Sequence, residues 1–132
     1  MYTIITDGAY SSMRNQGGVG IIILDEDGDE VLEYSKPFIN TTNNQMEIMA
    51  CIIGMESISE PEDITVITDS QYVIGCATLG WKRKKNVELW KRFDKVMSFH
   101  KSVIFKWTKG HSDNSYNNRC DAIAVKASQL EL

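Results

Sequence analysis

The sequence predicts an α/β domain built on a five-stranded mixed sheet flanked by helices. Two observations carry that prediction. Three β-rich runs joined by short turn signals open the chain, and an antiparallel meander joins such runs directly. Apolar helical stretches then separate two further β-branched runs, and crossovers of that length demand parallel neighbours. The predicted order is βββαβαβα, in a single domain spanning residues 1–132.

Residues 2–6 (Y-T-I-I-T) read as a short strand closed by the turn pair Asp7-Gly8. A loop follows over residues 9–17. Residues 19–24 form a continuous apolar, β-branched run, which marks a buried strand. Asp27-Gly28 is a hairpin signal, and residues 31–38 resume as a strand with Pro37 near its end. Thr42-Asn43-Asn44-Gln45 fits a capping box, with Thr42 as N-cap and Gln45 reaching back. The helix behind it, residues 46–58, is apolar on nearly every face and is therefore buried; Pro61 stops it. Residues 64–68 (I-T-V-I-T) read as a buried strand, and Asp69 or Ser70 caps a second helix that Gly80 breaks after about Leu79. A third helix, Val87–Phe99, gathers Leu89, Trp90, Phe93, Val96 and Met97 on one face. Residues 103–107 are the fifth strand, and a Gly-containing loop over 109–115 leads to a last helix near 117–127.

A chain of 132 residues can bury about two-thirds of its unfolded surface. With 42% hydrophobic and 24% charged residues it is neither disordered nor collagenous. No apolar run approaches the roughly 18–20 residues that cross a bilayer, so no membrane association is expected. The first residues carry no basic stretch and no small-residue cleavage site, so a cytoplasmic location is expected. Cys51, Cys76 and Cys120 are odd in number, widely spaced and outside any Cys-x-x-Cys pattern, which suits a reducing compartment and not a zinc site.

The net charge of −4 hides a segregation. Residues 1–81 carry thirteen acidic side chains against Arg14 and Lys36. Residues 82–109 carry ten basic ones against Glu88 and Asp94. That asymmetry is a cue for a polyanion partner, although a basic run alone also fits a solvated helix face.

Four carboxylates share a geometric consequence. Asp7 and Asp69 each end a strand, and parallel neighbours would bring both to the sheet edge where open α/β folds bind ligands. Glu47 is the only charge in the first helix before its last turn, and Asp121 lies on the last helix. Each has an ordinary alternative: a turn residue for Asp7, an N-cap for Asp69, a helix-dipole partner for Glu47, a solvated residue for Asp121. Their coincidence is less ordinary. Carboxylates converging in one cleft repel, and a divalent ion removes that penalty. Carboxylate oxygens suit Mg²⁺ or Mn²⁺, and a metal pair suits in-line phosphoryl displacement.

The ordered set T-D-G-A (residues 6–9), T-N-N-Q-M-E (42–47), T-D-S-Q-Y-V (68–73), K-N-V-E-L-W (85–90), W-T-K-G-H (107–111) and N-N-R-C-D (117–121) resembles the type 1 ribonuclease H family. The likeness runs in order from about Tyr2 to Ala127. It implies a ribonuclease H-like fold and cleavage of the RNA strand of an RNA–DNA hybrid with two Mg²⁺ ions, Mn²⁺ being a possible substitute. The family's metal-binding carboxylates fall on Asp7, Glu47, Asp69 and Asp121, and its loop histidine on His111, with a role in proton transfer or product release. His100 matches no motif and is expected to be structural. The resemblance also implies substrate contacts. Asn43, Asn44 and Gln71, with backbone near Gly8 and Glu47, would read the 2′-OH of RNA. Thr42 and Asn86 would hold a DNA phosphate, and Trp81 would stack beneath the DNA strand or anchor a helix end. Lys82, Lys84 and Lys85 would meet phosphates.

The chain departs from the family in three places. Only Trp81-Lys-Arg-Lys-Lys85 stands where many relatives insert a longer basic helix-loop, which marks a short form whose hybrid affinity is expected to be salt-sensitive. Met13-Arg14-Asn15-Gln16 replaces an Asn-Pro-Gly-like loop, and Asn118 stands where an acid is common. The expected protein is a monomer needing no obligate protein partner. The competing readings are a DNA-processing nuclease or integrase of the same fold and a non-catalytic nucleic-acid-binding module. An acidic-pocket signalling receiver fits the three-strand opening poorly, and an Asp-x-Asp phosphatase is disfavoured by Ala9.

Overall fold

The computed structural model describes residues 1–109 and 115–132. The elements are β1 (Tyr2–Ser11), β2 (Gln16–Leu24), β3 (Glu30–Ile39), α1 (Asn43–Glu56), β4 (Asp63–Thr68), α2 (Gln71–Thr78), α3 (Val87–Phe99), β5 (Ser102–Trp107) and α4 (Ser115–Ser128). The second crossover holds both helices read from the sequence, α2 and α3, so the full order is βββαβααβα, where the string βββαβαβα counts that crossover as a single α. The sheet runs β3-β2-β1-β4-β5. The opening meander is antiparallel, and β4 and β5 join it in parallel.

The central strands are buried on both faces, which is why β2 reads as an unbroken apolar run. Ile4 and Ile21 face the main core with Ile48, Ile52, Met55, Trp90 and Phe93. Ile5 and Ile22 face the other way, against Cys120 of α4. The three cysteines are free and buried. His100 bridges the far end of the fold: its Nδ1 accepts from the Glu62 N–H (3.2 Å) and its Nε2 donates to the Met55 carbonyl (2.9 Å).

Three departures from the sequence reading bear on function. Asp7-Gly8 is not a turn: β1 continues through it to Ser11, residues 12–15 make the hairpin turn, and β2 starts at Gln16. Gly8 is needed for another reason. A Cβ there would lie 2.6 Å from the Glu47 backbone nitrogen, so glycine lets the first turn of α1 rest on the strand. The capping box is half formed. Thr42 Oγ1 accepts from the Gln45 N–H (3.1 Å), but the Gln45 side chain bonds Thr41 and Asn86 instead of reaching back. Gln16, the last residue of the unusual first loop, is buried and donates from Nε2 to the carbonyls of Ala127 and Leu130 (both 2.9 Å), fastening the end of α4.

Candidate active site

The parallel β1–β4 pairing runs from Tyr2↔Ile64 to Ile5↔Ile67. The same register carried on places Asp7 level with Asp69. There the strands part. β4 ends at Thr68, Ser70 caps α2 by accepting from the Val73 N–H, and Asp69 is left at the carboxyl edge. Glu47 arrives from the first turn of α1, seated on Gly8. Carboxylate oxygens of Asp7, Glu47 and Asp69 lie within 4.8 Å of one another. Asp121 approaches Asp7 from α4, near enough to add to the rise in the Asp7 pKa. Glycines again allow the approach: a Cβ at Gly20 would collide with the Cys120 carbonyl, and one at Gly18 with the Ala124 carbonyl.

Among the described residues, little compensates the charge on Asp7 and Glu47. Asp7 and Glu47 are each only 6% exposed, and no salt bridge among the described residues reaches either. The Gly8 N–H donates to Asp7 Oδ1 (2.9 Å), and its nearness partly offsets the rise in the Glu47 pKa. Burial, then the neighbouring Asp69 and Asp121, pushes Asp7 up to about 8. Burial, then Asp7 and Asp69, pushes Glu47 up to about 9. Glu47 Oε2 is buried without a hydrogen-bond partner. An all-oxygen donor set with excess negative charge and an orphaned carboxylate oxygen fits a divalent cation such as Mg²⁺. A second acidic group, Asp25, Asp27 and Asp29, sits in the β2–β3 turn. There the Asp25 carboxylate accepts from the backbone N–H groups of Asp27 and Asp29 (both 2.9 Å), which accounts for it as a turn.

Most of the expected substrate residues are exposed. Thr42, Asn43 and Asn44 are exposed at the start of α1, and Gln71 is exposed at the start of α2. Trp81 is 50% exposed, and its indole lies against Gly75 of α2, where any Cβ would collide with the ring. It therefore both anchors a helix end and presents a surface. Lys82, Lys84 and Lys85 are exposed, whereas Arg83 is spent on the Cys76 carbonyl, Asp94 and the Trp90 ring. Asn86 is half-buried at the start of α3. His111 lies outside the described residues. Sequence reading missed Tyr72 and the side-chain role of Gln45, which hold Asn86. It also missed Arg119, which pairs with Glu30 and Glu33 (2.6 Å each) and pins α4 to β3. Only the single basic residue in N-N-R-C-D hinted at Arg119.

A mixed sheet of this topology, with carboxylates gathered where β1 and β4 part, defines the class as ribonuclease H-like α/β proteins. Comparison makes the assignment specific. The RNase H family model matches residues 1–129. The ribonuclease H of Trichodesmium erythraeum is 43% identical over 96% of this chain and 88% of its own length. That of Lachnoclostridium phytofermentans is 41% identical over 95% and 90%. Among solved structures, the N-terminal RNase H domain of a Mycobacterium tuberculosis protein superposes with a TM-score of 0.83 at 21% identity, covering 96% of this chain and 92% of that one, a likeness of fold. RNase H1 from the halophilic archaeon Halobacterium salinarum gives 0.81 at 25% identity, covering 96% of each chain. The chain belongs to the RNase H family.

Proposed function

We propose that this chain is a short-form type 1 ribonuclease H that hydrolyses the RNA strand of RNA–DNA hybrids by a two-metal-ion mechanism. The observation that carries the reading is the convergence of Asp7, Glu47 and Asp69 within 4.8 Å, with Asp121 against Asp7. These four carboxylates would hold a pair of Mg²⁺ ions, with Mn²⁺ as a substitute. When bound, such a pair would supply activation of the attacking water and stabilisation of the leaving oxygen in an in-line displacement. The chain's own part is positioning. Gly8 holds Asp7 through its N–H and lets the first turn of α1 bring Glu47 close, and the docking of α1 and α4 sets the spacing. Asn43, Asn44 and Gln71 present amides for the 2′-OH that distinguishes RNA. Thr42 and Asn86 take a DNA phosphate, Trp81 supports the DNA strand, and Lys82, Lys84 and Lys85 supply a salt-sensitive attraction. His111 serves proton transfer or product release. We take residues 1–132 to act as one catalytic domain, as a monomer, in the cytoplasm. Among the described residues no helix is long and apolar enough to cross a membrane.

The test is incubation of end-labelled hybrid, RNA duplex and DNA duplex with the protein, with and without Mg²⁺. Cleavage of the hybrid's RNA strand alone, and only with the metal, is expected. Intact hybrid at enzyme excess overturns the reading, and cleavage of DNA duplex would favour the DNA-processing alternative.

A further inference from the structure

Asn86 is unusual twice over. Its backbone is left-handed (φ 61°), a region that costs most L-residues energy and that asparagine tolerates best. It also occupies the N-cap of α3, yet its side chain makes no capping bond. An asparagine cap normally contributes about 1 kcal/mol, so that contribution is forgone here.

The carboxamide is instead held from both sides. Gln45 Nε2 donates to Asn86 Oδ1 (3.1 Å), and Asn86 Nδ2 donates to the Tyr72 hydroxyl (3.3 Å). Each holder is itself anchored. The buried Thr41 donates to Gln45 Oε1 (3.0 Å), and the buried Trp90 indole donates to the same Tyr72 hydroxyl (3.3 Å). Four side chains, from the β3–α1 junction, α1, α2 and α3, thus fix one amide. The amide keeps one Nδ2 proton uncommitted among the described residues. Just before it in the chain stand the exposed Lys84 and Lys85, and behind it lies the start of α3. On the reading above, the Asn86 carboxamide is the group that meets a DNA phosphate, and its orientation is set by this network and not by the helix cap.

We propose that Gln45 and Tyr72 are positioning residues, which hold the Asn86 carboxamide in the orientation that meets a phosphate of the DNA strand. This rests on the hybrid-cleaving reading above. The experiment is steady-state cleavage of a hybrid by the parent, Tyr72→Phe, Gln45→Met, Asn86→Ala and the double variant Tyr72→Phe/Asn86→Ala, each checked by thermal melting. Tyr72→Phe keeps the ring and removes the hydroxyl; it is expected to raise KM about fivefold while kcat stays within about twofold. Gln45→Met, which leaves the Trp90 contact intact, is expected to do the same, and it carries the test should Tyr72→Phe melt early. In the Asn86→Ala background Tyr72→Phe should add nothing to KM, because there is no carboxamide left to orient. Unchanged KM in Gln45→Met, or additive effects in the double variant, would overturn the positioning role. A parent that leaves hybrid intact would instead take down the reading on which it rests.

Discussion

Two polar clusters meet at the first turn of α1, two residues apart, and they are built on opposite rules. Around Gln45 the side-chain amides and hydroxyls are linked donor to acceptor, from Thr41 through Gln45 and Asn86 to Tyr72 and Trp90. Around Glu47 the groups are acceptors facing acceptors, with one buried oxygen left without a partner. A satisfied network stabilises and orients, whereas an unsatisfied acidic one is costly unless something from outside completes it. The difference separates the part of the site that the chain finishes alone from the part that it leaves for a cation.

Substitution within the acidic cluster tests this difference most sharply. On the proposed reading, Asp7→Asn is expected to lower hybrid cleavage by on the order of 10³-fold or more, since it removes an oxygen that would hold the metal. The same change removes a carboxylate that repels Asp69 and Asp121, so the metal-free variant should melt no lower than the parent at pH 8. Cleavage assays and paired melts check both halves. A variant that loses activity and also unfolds would mean that Asp7 supports the fold. The glycines come next. Gly20→Ala forces a methyl group against the Cys120 carbonyl, so α4 must lift and carry Asp121 away from Asp7. A loss of about 1–3 kcal/mol in urea unfolding is expected, with activity falling further than stability alone explains. His100→Ala, at the far end, should cost roughly 2 kcal/mol through two lost hydrogen bonds and leave kcat of the folded enzyme unchanged.

Much of the fold was legible because hydrophobic periodicity is a local signal. The α3 boundaries, the buried faces of β2 and α1, and the Thr42 cap all follow from nearest-neighbour pattern. Asp7-Gly8 misled for a physical reason. The dipeptide suits a turn, but the glycine is required by a helix that packs on it from forty residues away, and nothing local records that approach. Gln45 misled in the same way: a capping-box glutamine and a glutamine that reaches α3 are identical in sequence. The acidic residues were found because charge is sparse in a buried helix and at strand ends, so Glu47 stood out. Tyr72 and Arg119 did not, because a tyrosine on an apolar helix and a surface arginine are common, and only the pairing across elements gives them roles.

The smallest expected effect concerns pH. Asp7 is raised to about 8 and Glu47 to about 9, against roughly 4 in the unfolded chain. Below about pH 4 both states hold their protons and these groups contribute nothing to the pH dependence. As pH climbs from 4 towards 9 the unfolded chain releases protons that the folded chain retains, so stability from these two groups falls across that window. A divalent ion reverses the balance, because it favours the ionised carboxylates and must expel protons to bind. Melting the protein in EDTA from pH 5 to 9 should therefore show a declining Tm contribution that Asp7→Asn reduces. Saturating Mg²⁺ should raise Tm by a few degrees, and more at pH 8.5 than at pH 6, as the apparent affinity grows. An Mg²⁺ shift that shrinks with rising pH would mean that the cation binds elsewhere. The network around Gln45 holds no carboxylate, so Gln45→Met should leave this pH-dependent increment unchanged while the parent and Asp7→Asn differ in it.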